Sequence, residues 1–70
     1  MKNDKAVFGR NLEAVRKRRG ITQAALAKDL GITLAHYFYI KTGRRAPSFE
    51  LILRARRILK CPYTELFRRL

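Results

Sequence analysis

The chain has 70 residues, enough for one small domain spanning 1–70, and a chain this short buries only roughly 60% of its unfolded surface. Hydrophobic residues make up 47% of it and recur in patterned runs, which excludes a disordered polyelectrolyte. With 17 Lys+Arg against 5 Asp+Glu the formal net charge is +12, which points to a polyanionic partner: duplex DNA, RNA or an anionic membrane surface.

Strand-like alternation is absent over any useful length, so the pattern predicts an all-helical chain. Helix one is expected from Asp4 to Arg19, with Phe8, Leu12 and Val15 as its core stripe. Arg16, Lys17, Arg18 and Arg19 crowd its last turn, where cations meet the negative end of the dipole. Helix two is expected from Thr22, as N-cap, to Leu30, with Leu26, Ala27 and Leu30 facing inward. Helix three runs from Thr33 to Thr42, again with a threonine N-cap, and Tyr37 and Ile40 form its inner edge. Helix four begins at the N-cap Ser48 and ends near Leu59. Phe49, Ile52, Ala55 and Leu59 share its predicted inner face, widened by Leu51 and Ile58. A last short helix starts near Pro62 and carries Tyr63, Leu66, Phe67 and Leu70. Gly20, Gly31 and Gly43 each follow a helical segment, where a left-handed residue is wanted.

The informative segment is Gln23 to Thr42. Two short helices separated by Gly31-Ile32-Thr33 have the spacing of a helix-turn-helix, in which the second helix enters the major groove and the first braces across it. Ala27 sits where the two helices come closest and a small side chain is needed. Ile32, Tyr37 and Ile40 pack the second helix on the first.

The run of spacings resembles the lambda-repressor-like helix-turn-helix family, also described as the Cro/repressor or xenobiotic-response-element type. The matching residues are Gly9, Leu12 and Arg16; Gly20-Ile21-Thr22-Gln23; Leu26-Ala27 leading to Gly31; Ile40; Gly43-Arg44-Arg45 with Pro47-Ser48; and Glu65-Leu66-Phe67. The resemblance covers about Phe8 to Phe67. It implies an all-α, compact five-helix domain that binds operator DNA, commonly as a dimer. Two positions depart from the family pattern. Where an acidic residue usually pairs with the helix-one arginine stands Lys41, so Arg16 needs another partner, such as Glu13, or stays solvated. Where Ile or Val is usual stands Tyr37, whose hydroxyl must reach a partner or water.

At about 100° per residue, the arc of helix three opposite Tyr37 and Ile40 holds Ala35, Phe38, Tyr39 and Thr42, with Thr33 and Leu34 at the tip. The expected base-readout set is Thr33, Leu34, Ala35, His36, Phe38 and Tyr39. It is poor in the Arg, Gln and Asn side chains that make bidentate base contacts. Ala35 and Leu34 can touch thymine methyls, and Tyr39 can make one hydrogen bond. For Phe38, burial against a partner chain or helix four competes with a DNA contact. The expected phosphate contacts are Thr22, Gln23, Thr42, Arg44 and Arg45, with Gln23 at a helix N-terminus that favours anions. A solvated polar residue is the bland alternative for Gln23. Arg54, Arg56, Arg57 and Lys60 read as a solvated face.

No catalytic constellation is present: the acids are scattered and there is no Gly-rich phosphate loop. His36 has no second His or Cys beside it, so no metal site and no cofactor are expected. Cys61, the one cysteine, cannot form an internal disulfide and is expected to pack as a small hydrophobe. No apolar run approaches the roughly 20 residues of a membrane span, and the N-terminus MKNDKAVFGR lacks a signal peptide's apolar stretch, so a cytoplasmic location is expected. The expectation is a sequence-specific, double-stranded-DNA-binding transcriptional regulator, a repressor or controller on a pseudo-palindromic operator. Leu53, Tyr63, Phe67 and Leu70 would cover one another in a homodimer. The rival readings are an antitoxin-type module that neutralises a protein partner while also binding DNA, and an RNA or membrane-surface binder selected by charge alone.

Overall fold

The computed structural model describes residues 4–69. Its elements are five helices: α1 (Asp4–Arg18), α2 (Gln23–Leu30), α3 (Leu34–Lys41), α4 (Phe49–Leu59) and α5 (Tyr63–Leu66). Three begin on hydroxyl caps, in each of which the side-chain oxygen accepts from the third residue of its helix. Thr22 accepts from Ala25 N at 3.1 Å, Thr33 from His36 N at 3.0 Å and Ser48 from Leu51 N at 3.0 Å. These are the caps expected from the sequence, and the expected left-handed glycines are also in place, at φ 69, 77 and 81° for Gly20, Gly31 and Gly43. Helix α4 instead ends on Lys60, a non-glycine residue at φ 50°.

The core is one cluster fed by every helix. Phe8, Leu12 and Val15 of α1 meet Leu26, Ala27 and Leu30 of α2, Tyr37 and Ile40 of α3, Leu51, Ala55 and Leu59 of α4, and Leu66 of α5. Cys61 is buried in the same cluster, and its burial pushes the thiol pKa up, as suits an inert small hydrophobe.

The predicted face of α4 needs correction. Phe49 lies outward, 75% exposed, and the buried stripe is Leu51, Ala55 and Leu59, with Ile52 and Ile58 half-buried at its edges. At about 100° per residue Phe49, Leu51, Ile52 and Leu53 are spread around most of the helix circumference, so its rotation is set by docking rather than by pattern. Two further features were not anticipated. Asn11 is buried on the α1 core stripe, and its Nδ2 donates to Leu66 O at 3.1 Å and Arg68 O at 2.7 Å, tying α1 to the carbonyls at the end of α5. Gly9 lets α1 lie directly on α3: a Cβ there would stand 2.2 Å from Ile40 O.

Candidate nucleic-acid interface

The turn between α2 and α3 is built as the residue types require. Gly31 takes the left-handed conformation that closes α2, and its N–H bonds back to Ala27 O and Lys28 O. Ile32 N donates to Ala27 O at 3.0 Å, and Thr33 then caps α3. Ala27 itself is 2% exposed, so the close approach of the two helices has no room for a larger side chain. Arg54 of α4 donates from its guanidinium to Leu30 O at 3.0 Å, placing a cation on the carbonyl end of α2. Arg54 therefore has a bracing role that its reading as part of a solvated face did not include.

Helix α3 is oriented from behind by Glu13. The carboxylate accepts from Arg16 Nε at 3.1 Å and Nη2 at 2.6 Å, from Tyr37 Oη at 2.7 Å and from Gln23 Nε2 at 3.0 Å, and Lys41 Nζ lies 3.9 Å away. Arg16 also donates to Ile21 O at 2.6 Å. Both departures noted in the sequence are resolved at this one point. The acid that the family carries on helix three is replaced here by an acid on helix one, and the Tyr37 hydroxyl reaches it. Arg16, with its paired hydrogen bonds, draws the Glu13 pKa down to about 2 against the opposing effect of burial, and Tyr37 and Gln23 add to the pull. Burial, and then the hydrogen bond to Glu13, push the Tyr37 phenol well above its ordinary value.

The opposite face of α3 is open. Leu34 is 52% exposed, Phe38 48% and Tyr39 38%, and Ala35 is also exposed. His36 is half-buried at the edge of this face. The Phe38 ring is about half exposed and stands edge-on to Tyr39 at 6.2 Å, with Lys41 Nζ 5.6 Å from its centroid. The Thr33 hydroxyl is engaged as a cap.

Of the residues expected at phosphates, Arg44, Arg45 and Thr42 adjoin this face. Arg44 and Arg45 are exposed in the loop after α3, and both backbone N–H groups bond to Tyr39 O, at 2.9 and 3.1 Å. The Arg44 guanidinium sits 6.0 Å from the Tyr39 ring centroid. Thr42 is exposed and donates to Phe38 O at 2.8 Å, leaving its oxygen lone pairs free of that bond. Thr22 is exposed at the start of α2. Gln23 is half-buried, with one amide proton committed to Glu13. Lys41, Arg10 and Lys17 line a surface groove between α1 and the end of α3, an extension of the basic surface that the sequence reading did not single out.

The residues expected at a subunit contact lie elsewhere. Tyr63 is 42% exposed beneath the Arg56 guanidinium, at 5.1 Å. Phe67 is partly exposed but packs on Phe8, with ring centroids 5.3 Å apart. Leu53 is half-buried, and Leu70 lies outside the described residues. Among the described residues no group of three or more His, Cys, Asp or Glu is placed to hold a metal ion, and no helix is long and apolar enough to cross a membrane.

A family model described as helix-turn-helix matches residues 12–66, from the middle of α1 to the end of α5. The chain belongs to the helix-turn-helix family. Within it the domain is of the lambda-repressor-like type, a DNA-binding transcriptional regulator. An uncharacterised HTH-type transcriptional regulator of Bacillus subtilis strain 168, YazB, is 38% identical over 60 residues, covering 86% of this chain and 87% of YazB. The crystal structure of the restriction-modification controller protein C.AhdI from Aeromonas hydrophila superposes with a TM-score of 0.83 at 29% identity, covering 94% of this chain and all of that one. The clp gene regulator ClgR from C. glutamicum has the same fold, with a TM-score of 0.86 at 20% identity over 94% of this chain and 86% of its own.

Proposed function

We propose that this helix-turn-helix protein is a sequence-specific regulator that binds an inverted-repeat operator in double-stranded DNA as a homodimer. The observation that carries the reading is the pairing of two faces on one helix. Tyr37 and Ile40 lock α3 from behind, and Leu34, Ala35, Phe38 and Tyr39 are presented outward beside the exposed Arg44 and Arg45. A fixed backbone with a free outer face is what a major-groove reader needs. Thr33, at the tip, and His36, at the edge, complete the readout set. The exposed Arg44, Arg45, Thr42 and Thr22 contact the backbone phosphates, and the α2 N-terminus at Gln23 favours an anion.

One short helix reads few base pairs, so a second copy supplies the rest of the site. Leu53, Tyr63 and Phe67 form the subunit contact, and the outward Phe49 adds apolar surface on α4. The protein works as a single domain in the cytoplasm, as a binding module with no catalytic centre and no cofactor.

Selection of bound duplexes from a random pool tests this reading. An enriched inverted repeat with half-sites about one helical turn apart is the expected result. Enrichment of no sequence, with equal binding of single-stranded RNA or anionic vesicles, would replace it with a charge-driven binder.

A further inference from the structure

The outer face of α3 combines an apolar centre with a cationic rim, and that combination identifies what it reads. Leu34 is 52% exposed and Phe38 48%, lying on one side of the face next to the exposed Ala35. None of the three carries a hydrogen-bonding side chain. Lys41 holds its ammonium 5.6 Å from the Phe38 ring, and Arg44 stands 6.0 Å from the ring of Tyr39 at the far edge. Lys41 also lies 3.9 Å from Glu13, but an apolar protein partner matching the centre would still leave the exposed Arg44 and Arg45 against its surface. A DNA major groove matches both: phosphates lie at its two edges, and the one apolar group on its floor is the C5-methyl of thymine.

We infer that Leu34, Ala35 and Phe38 make this protein a reader of 5-methylpyrimidines, taking its sequence specificity from the apolar contact of these side chains with thymine methyl groups rather than from bidentate hydrogen bonds. The inference rests on the reading of the domain as a duplex-DNA regulator and names the chemical group it recognises. The Leu34 and Phe38 side chains exposed in the free protein become covered by the methyls, and water is released from both. Tyr39, on the other side of the face, adds one polar contact at most.

The experiment uses the most enriched duplex from the random pool and a series in which one thymine at a time is replaced by deoxyuridine. That change removes a methyl and leaves pairing and every hydrogen-bonding group in place. At the contacted positions the affinity should fall by about fourfold each, the value of one buried methylene. Leu34→Ala and Phe38→Ala should each abolish the difference between thymine and deoxyuridine at one position and leave the others sensitive. Both side chains are about half exposed, so the helical content of the variants should match that of the wild type, which circular dichroism checks. Wild-type binding that is sequence-specific yet indifferent to deoxyuridine at every position would overturn the inference and leave the regulator reading standing. Absence of any preferred duplex would overturn both.

Discussion

The Tyr37 hydroxyl donates a 2.7 Å hydrogen bond to Glu13 Oε1, so the buried side of the reading helix is fastened to a carboxylate on α1. The same carboxylate holds Arg16 and the Gln23 amide, and thereby links α1, the start of α2 and the middle of α3. Helix α3 carries Tyr37 on one side and Tyr39 on the other. The orientation of its outer face therefore depends on a polar cluster that touches no DNA in this account.

Acid stability should report on that cluster. The folded-state pKa of Glu13, about 2, lies below its ordinary value of 4.5. A depressed carboxylate gives stability that is fully present above the unfolded value and is lost as pH falls from there toward the folded one. Thermal midpoints of the wild type and Glu13→Gln should differ near neutral pH and converge between about pH 4.5 and pH 2. Parallel curves over that window would show that Glu13 does not carry the acid sensitivity. At the other extreme the raised Tyr37 pKa gives stability that is lost as pH rises above about 10, and Tyr37→Phe should remove that alkaline loss.

The contact of α1 with α3 makes a second prediction. A Cβ at position 9 would press on the backbone carbonyls of Ile40 and Lys41, at 2.2 and 2.8 Å, and backbone cannot rotate aside as a side chain does. Gly9→Ala should cost at least about 2 kcal/mol in chemical denaturation. A variant as stable as the wild type would mean that α3 can shift outward freely, and its orientation would then not be fixed by packing.

The two tyrosines on opposite sides of α3 should separate folding from reading. Tyr37 is wholly buried, so Tyr37→Ala should cost roughly 3–5 kcal/mol and unfold much of the protein. The partly exposed Tyr39 touches Phe38 and Arg44 at the surface, and Tyr39→Ala should change stability by no more than about 1 kcal/mol. Its effect should appear instead in the preference for the selected operator over random DNA. Reversed phenotypes would contradict the helical phase on which the interface rests.

Salt dependence addresses the rim. Affinity for duplex DNA should fall by on the order of a thousandfold or more between 50 and 200 mM salt. Arg44→Ala and Arg45→Ala should weaken specific and random duplexes alike and lower the log–log slope by up to about 1 for each lost phosphate contact. Slopes unchanged in both variants would remove the loop after α3 from the interface.

Much of this architecture was legible in the residues because it depends on local chemistry. Thr22, Thr33 and Ser48 are caps wherever a helix follows them, and the spacings Phe8-Leu12-Val15 and Tyr37-Ile40 permit one inward face. What the sequence did not reveal depends on tertiary partners. The pattern on α4 allows Phe49 to face inward because apolar residues lie around most of its circumference, and docking on α2 and α1 selects the stripe of Leu51, Ala55 and Leu59. Asn11 gave a faint signal, a polar residue three positions after Phe8 on a core stripe. Its two carbonyl acceptors lie more than 50 residues away and have no sequence signature. Lys60 ends a helix in a conformation for which the pattern suggests glycine. For the outer face of α3, the exposure of Leu34, Ala35, Phe38 and Tyr39 is predictable from helical phase. The engagement of Gln23 by Glu13 is not, because it requires α1 and α2 to be docked.

The most direct test of the account is the ratio of affinities for the selected inverted repeat and for a random duplex of equal length, measured at one fixed salt concentration. A groove-reading dimer should prefer its operator by on the order of a thousandfold or more. A ratio near one would contradict it, leaving a basic helical domain that holds DNA by charge alone.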